Sequence, residues 1–425
     1  MTDTIFALSS GAPPAAIAVV RISGPQAGAA LRALAGRNLP ARRAVAVTLR
    51  DAQRAVLDHV LALWLPGPTT ATGEDTVELH CHGGRAVVSA VERALAALPG
   101  LRAAQPGEFT RRAFANGRID LAEAEGLADL LAAETELQRQ SALAMAGGDF
   151  SGQVAGWRKR LLMLSASVEA VLDFGDEDDV SDLPADFSAQ LTELERELAA
   201  WLSRPRAETL REGYRVVLAG PPNAGKSTLF NALVESEAAI TAPLAGTTRD
   251  VLTHPVALDG VPFRFSDTAG LRDETGDAIE AIGIERARSA LSQADLVLWL
   301  GPEGAGPEHA WEIAAQADVA DHPAKAAPRH RVSALTGAGM DALRADLIAH
   351  ARAALPRPGE AALNARQHRL LSEACQSLAA ADGLTDALLV AESLRLARVA
   401  FDALLGRTTT EDMLDALFGR FCIGK

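Results

Sequence analysis

Residues 214–228 read YRVVLAGPPNAGKST. The apolar, β-branched run Tyr214–Ala219 suits a buried strand, and Thr228–Val234 suits a helix. Between them, Gly220-Pro221-Pro222-Asn223-Ala224-Gly225-Lys226-Ser227 has the spacing G-x-x-x-x-G-K-[ST]. Glycines let such a loop curl until successive backbone N–H groups and the positive end of the following helix surround a chain of phosphates. Lys226 then reaches the terminal phosphates and Ser227 is placed to ligate Mg²⁺. On either side, over residues 207–356, short strand-like runs (FRFS, DLVLWL, RHRVSA) each lead into a turn and a helical stretch. That alternation predicts a mainly parallel sheet covered by helices.

The strand FRFS ends in Asp267-Thr268-Ala269-Gly270, where an acid can hold the water shell of Mg²⁺ and a backbone N–H can sense a γ-phosphate. Between the two motifs lies Gly246-Thr247-Thr248-Arg249-Asp250, a loop suited to ordering around γ-phosphate and Mg²⁺ and relaxing on hydrolysis. Together they indicate a nucleotide switch, and DTAG favours GTP over ATP. Leu271 stands where small GTPases commonly carry a water-orienting Gln, so another group must position the water. The guanine-reading N-K-x-D pattern is also missing. After a strand beginning at Trp311, the nearest match is Ala315-Gln316-Ala317-Asp318, in which Asp318 can accept from guanine while the Asn and Lys roles stand vacant. Ser333-Ala334-Leu335, at the end of the next strand, fits a backbone contact to guanine O6.

Outside this unit, residues 1–118 mix β-like runs (AIAVVRI, DHVLALWL, DTVELHCHGG) with Ala-rich helical stretches, which reads as an α+β domain. Residues 119–206 show apolar positions at three- and four-residue spacing, as long helices do, and 357–425 are helical again. The last stretch has too little core to stand alone. It is expected to pack with 119–206, making the α/β unit an insertion whose two ends lie close together.

The 425 residues carry a net charge of −14, with 48% hydrophobic and 4% aromatic residues. Such acidity argues against a broad phosphate-neutralising surface, so any RNA contact must be local or shared with a partner. Cys81, Cys375 and Cys422 are too few and too scattered for a disulfide framework or a four-thiolate zinc site. Without a basic leader or an apolar run of about 18 residues, a cytoplasmic protein that does not enter membranes is expected.

These blocks, with VVRISG (19–24), GEDTVELHCHGG (73–84), PGEFTRRAFANGRIDLAEAEGLADL (106–130), IGIERA (282–287) and the terminal FCIGK, resemble the MnmE (TrmE) family of tRNA modification GTPases nearly end to end. The resemblance implies a folate-binding, dimerising N-terminal domain, a helical domain made from two chain segments, and an inserted P-loop G domain with a Ras-like parallel sheet. It implies a homodimer working with the flavoprotein MnmG in a heterotetramer, adding an aminomethyl or carboxymethylaminomethyl group to C5 of the tRNA wobble uridine. Carried over by position, Asn223 with the carbonyls of Ala242, Leu244 and Thr247 would hold K⁺. Ser227 and Thr248 would ligate Mg²⁺, and Glu280 would orient the attacking water. GTP itself would meet Asn223–Thr228, Thr247, Thr248, Asp267–Gly270, Asp318 and Ser333–Leu335. Arg21, Glu78, Arg118 and Lys425 would bind reduced folate, as 5,10-methylenetetrahydrofolate or its 5-formyltetrahydrofolate analogue, with Arg118 in place of a family Lys.

Several features carry plainer readings. Cys422 is either a reactive thiol near the folate or a structural one. His80 and His82 share a strand face without a second ligand cluster, as structural histidines do. DFGDEDD (173–179) lacks the other kinase motifs and reads as a solvated interhelical turn. Arg111 and Arg112 could meet tRNA phosphate, but on so acidic a protein they are expected in surface ion pairs. The motifs alone also leave open a nucleotide-controlled binding module of the ribosome-assembly kind, without modification chemistry.

Overall fold

The structure, a computed structural model, describes residues 3–174, 183–234, 253–267, 288–319, 325–408 and 410–424. The chain divides into two compact units, residues 1–128 with 401–425, and residues 129–400. Most of the acidic stretch after Phe174 lies outside the described residues.

In the first unit six strands make one sheet: β1 (Thr4–Leu8), β2 (Ile17–Ser23), β3 (Ala44–Arg50), β4 (Val56–Leu65), β5 (Thr76–His82) and β6 (Leu101–Ala103). Their order is β3-β4-β5-β2-β1-β6. Neighbours are antiparallel except for β1 and β6. Alternation along β5 shows why one face is buried: Val77, Leu79 and Cys81 point inward, while Glu78, His80 and His82 are partly or wholly exposed. The inward set joins Val20, Ile22, Leu31, Leu34, Val91 and Leu95 in one core beneath helices Ala27–Ala35 and Arg85–Ala96. Each such buried aliphatic side chain contributes about 1.5–3 kcal/mol. The other face is left to Arg21, Glu78 and their neighbours.

Arg112 departs from expectation. Arg111 does form surface ion pairs, with Glu411 and Asp415. Arg112, one residue on and turned by a helical step, is wholly buried. Its guanidinium meets Asp3 Oδ1 at 2.9 Å, Glu74 Oε2 at 3.1 Å and Glu108 Oε1 at 3.1 Å. Arg102 closes the same network through Asp3 and Glu108. Burial alone would raise the Glu108 carboxyl, but hydrogen bonds from Arg102, Gln105 N–H and Arg112 outweigh it and hold the group below its ordinary value.

In the second unit β7 (Tyr214–Ala219), β8 (Thr253–Leu258), β9 (Val261–Asp267), β10 (Leu296–Trp299), β11 (Trp311–Ala314) and β12 (His330–Arg331) form a sheet of order β12-β11-β10-β7-β9-β8. Only β8 runs antiparallel. Val216, Leu218, Phe263, Phe265, Leu298 and Ile313 build its core with Leu229, Leu343 and Leu347 from helices Lys226–Val234 and Met340–Ala354. The connection between β10 and β11, residues 300–310, contains no helix. It folds around Trp299, whose indole N–H donates to Pro302 O at 2.9 Å. A methyl group at Gly301 or Gly306 would come within 2.5 or 2.6 Å of that ring.

The rest of this unit is helical. Helix Glu136–Ala146 starts on a capping box, with Thr135 accepting from Gln138 N. Helix Ala365–Ala381 does the same with Asn364 and Gln367. Helix Asp149–Phe174 meets helix Phe187–Leu202 through Trp157, whose indole N–H donates to Glu197 Oε2 at 2.9 Å. Helix Ala365–Ala381 reaches the same pair, with Ser188 Oγ donating to Asp382 Oδ1 at 2.7 Å. Ala207 N donates to Leu363 O at 3.0 Å, so the two ends of the sheet-bearing segment do meet. Residues 401–424, by contrast, group with the first unit: Leu414, Phe418 and Phe421 pack on Leu121 and Ala124.

Candidate functional site

The chain passes from β7 to β8 and β9 on one side and from β9 to β10 on the other side of β7, a reversal of strand order that opens a crevice at the carboxyl ends of β7 and β9, where ligands bind in doubly wound sheets. The phosphate loop leaves β7 at this point. Asn223 adopts φ +62°, a left-handed conformation that a short amide side chain tolerates, and helix Lys226–Val234 follows. Lys226 is only 5% exposed, and its ammonium donates to the carbonyls of Gly220 at 3.0 Å and Pro221 at 2.7 Å. Ser227 Oγ donates to Asp267 Oδ2 at 2.6 Å, joining the phosphate loop to the end of β9. A hydroxyl and a carboxylate so placed are the hard oxygen donors that Mg²⁺ takes beside nucleotide phosphates. Ala224 is buried and Thr228 exposed.

The loop after β11 leans over the phosphate loop. Gln316, at φ +56°, donates from Nε2 to Asn223 O at 3.4 Å. Asp318 is held below the ordinary carboxylate value by a hydrogen bond from the Ser333 side chain. Ser333, 1% exposed, also accepts from Thr336 N at 3.1 Å, which fixes the turn carrying half-buried Ala334 and exposed Leu335. The carboxylate of Asp318 is thus oriented and charged, as an acceptor for a base edge must be.

On the first unit, Arg21 and Glu78 sit opposite each other on β2 and β5. Nε and Nη2 of Arg21 donate to the same oxygen, Glu78 Oε1, at 3.1 and 2.9 Å. Arg118 is exposed. The terminal segment runs back beside β1: Ser9 Oγ donates to Gly424 O at 2.8 Å, and a side chain at Gly424 would meet Leu8 O at 2.0 Å. Leu8 follows Ala7, the residue paired with Arg21. Cys422 is exposed. His80 and His82 have separate partners, Glu78 at 3.6 Å and Asp58 at 2.7 Å, and among the described residues no group of ligating side chains fits a metal ion. Ala242, Leu244, Thr247, Thr248, Thr268, Ala269, Gly270, Glu280 and Lys425 lie outside the described residues.

Two family models match the chain: one described as the GTP-binding protein TrmE N-terminus, over residues 4–118, and one described as the MnmE helical domain, over residues 121–422. Proteins named tRNA modification GTPase MnmE from Erythrobacter litoralis (strain HTCC2594) and Novosphingobium aromaticivorans (strain ATCC 700278) are each 65% identical, the matches covering all of this chain and all of each relative. The chain belongs to the MnmE family.

Within this MnmE-family chain, two contacts were not read from the sequence. Gln316 fills the position of the Lys in N-K-x-D and rests against the phosphate loop. Its only signal was its place between Ala315 and Asp318. Arg21 and Glu78, both expected as folate contacts, also pair with each other, because opposite charges on facing strand positions meet across the ladder. Among the described residues no helix is long and apolar enough to cross a membrane.

Proposed function

We propose that this chain is a Mg²⁺-dependent GTP hydrolase that works in the cytoplasm on tRNA modification, with residues 207–356 as its G domain. The bond between Ser227 and Asp267 supports this most directly, since it joins two distant motifs at the mouth of the crevice. Lys226 neutralises the terminal phosphates, and the helix it begins directs its N–H groups at them. Ser227, with Thr248, would hold Mg²⁺, which supplies charge neutralisation at the phosphate oxygens. Asn223, with Ala242, Leu244 and Thr247, would hold K⁺, which supplies positive charge where other GTPases insert an arginine. Glu280 would orient the water in place of the Gln absent at Leu271. Asp318 reads the base, with Ser333 holding it in place.

In the same reading residues 1–118 form the dimerising domain that takes reduced folate through Arg21, Glu78, Arg118 and Lys425, and helical segments 119–206 and 357–425 carry the G domain. With MnmG, the homodimer adds an aminomethyl or carboxymethylaminomethyl group to the wobble uridine, and hydrolysis times the pairing and separation of G domains. Hydrolysis measured in KCl and in NaCl tests the ion: a markedly faster rate in KCl is expected, and equal rates overturn it. Mass spectrometry of tRNA nucleosides from cells lacking the chain tests the biology, which an unaltered wobble uridine would overturn. Calorimetric binding of reduced folate separates this reading from a plain nucleotide switch.

A further inference from the structure

Residues 32–54 contain six arginines, Arg32, Arg37, Arg42, Arg43, Arg50 and Arg54, against one acid, Asp51, on a chain whose net charge is −14. All six are exposed. Although carboxylates are in excess over the whole chain, none of the six has one within 4 Å among the described residues, whereas Arg102, Arg111 and Arg112 each have two or more. Their hydrogen bonds go to neutral oxygens instead. Arg50 donates to Arg54 O at 2.9 Å and Arg37 to Ala46 O at 3.5 Å, while Arg42 holds Pro66 O at 3.1 Å and Thr69 O at 3.0 Å. Each therefore keeps an uncompensated charge. Asp51 spends Oδ1 on the N–H groups of Gln53 and Ala55, inside its own turn.

The charges also converge. β3 is the edge strand of the first sheet. Beside it opens a recess of about 540 Å³ lined by Arg37, Arg50, Thr48 and His59 over an apolar floor that includes Val47 and Val60. Arg54 approaches the same rim, its Nη1 lying 3.8 Å from where a Cβ on Gly36 would stand. Arginines along an edge strand can serve only to discourage strand addition. Here Arg37 and Arg54 lie off the strand, before and after it: Arg37 lines the recess with Arg50, and Arg54 stands beside Gly36, between the lining residues Ala35 and Arg37.

We infer that this recess and its flanking arginines form a docking surface for the phosphodiester backbone of a structured RNA. The inference rests on the tRNA reading above and adds where that RNA is held. An acidic protein can hold RNA only where positive charge is concentrated, and guanidinium is the side chain that matches phosphate geometry. The surface reads charge and shape, with no base-edge contact required.

Binding of an unmodified tRNA transcript to the full-length chain, followed by fluorescence anisotropy across a salt series, tests it. The triple variant Arg37→Gln/Arg50→Gln/Arg54→Gln should bind about tenfold more weakly at roughly 0.1 M salt and lower the slope of log K against log salt by about 2. GTP hydrolysis should be unchanged, since none of the three belongs to the nucleotide site. Arg32→Gln/Arg43→Gln should lose less. The charge-keeping Arg37→Lys/Arg50→Lys/Arg54→Lys should retain most of the slope, which keeps the comparison valid should the neutral variant fold poorly. An unchanged slope in the neutral variant, with wild-type binding intact, overturns this surface and leaves the tRNA reading standing. A change in sedimentation without a change in RNA binding overturns it in favour of a second copy of the chain. Absence of tRNA binding by the wild type overturns both.

Discussion

Lys226 and Arg112 are both withdrawn from water, at 5% and 0% exposure, yet their surroundings differ in kind. Lys226 rests on two backbone carbonyls of its own loop. Arg112 is enclosed by the carboxylates of Asp3, Glu74 and Glu108, drawn from three separate parts of the chain. Carbonyl partners can be exchanged for phosphate oxygens, because both are acceptors and the lysine stem is flexible. Three carboxylates around a planar guanidinium fix its geometry and leave it nothing to exchange. One buried cation is able to trade carbonyls for other oxygens, and the other is fixed in the architecture.

The comparison breaks most readily at Arg112. Arg112→Met leaves three carboxylates without their shared cation and should destabilise the first sheet by about 3–5 kcal/mol in urea unfolding. Retention of full stability would mean that the network contributes nothing. Lys226→Ala should lower kcat for GTP hydrolysis on the order of 10²–10³-fold, with a smaller loss of stability than Arg112→Met, because the partners it leaves include two neutral carbonyls of its own loop. A large fall in melting temperature would put this lysine in the same class as Arg112.

Asp318→Asn replaces an acceptor with an amide that both accepts and donates. GTP affinity should fall roughly 10- to 100-fold while XTP gains relative to GTP, as competition titrations would show. Equal losses for GTP, XTP and ATP would remove Asp318 from base recognition.

The smallest effect concerns a surface brace on the second sheet. Hydrogen bonds from Arg329, opposed by partial burial and reinforced by His330, bring the Asp346 carboxyl down to about 2. Because the folded value lies below the unfolded one, this contribution is present above about pH 4 and is lost as the pH falls from 4 toward 2. It should amount to about 1–2 kcal/mol after allowance for solvent screening. Arg329 stacks 3.9 Å from the Trp311 ring, so Trp311 emission reports the change. Asp346→Asn should flatten that limb of the acid titration.

The phosphate loop was legible in sequence because its chemistry is local: glycines, lysine and serine must sit at fixed offsets between a strand and a helix. Asp267 followed from the strand that ends in it, and the nearness of the chain before and after the sheet-bearing segment from the need of a short helical tail for partners. Arg112 was not legible. Its three partners are separated from it in sequence by unrelated distances, and adjacent Arg111 differs from it only in helical phase. Gln316 was hidden for another reason: it departs from the motif at the position whose contact it makes. The mutual pairing of Arg21 and Glu78 depends on β2 lying beside β5, two strands that no single turn joins because β3 and β4 come between them in sequence.

The helix-free crossover at residues 300–310 shortens the path between two parallel strands by closing on a single indole. With glycine α-carbons against Trp299 at Gly301 and Gly306, even one added carbon intrudes on the ring. Economy of length is thereby exchanged for freedom of substitution. In a saturation library this segment should tolerate far fewer replacements than an exposed loop of equal size, and the variants that survive at either glycine should be those that also shrink the tryptophan.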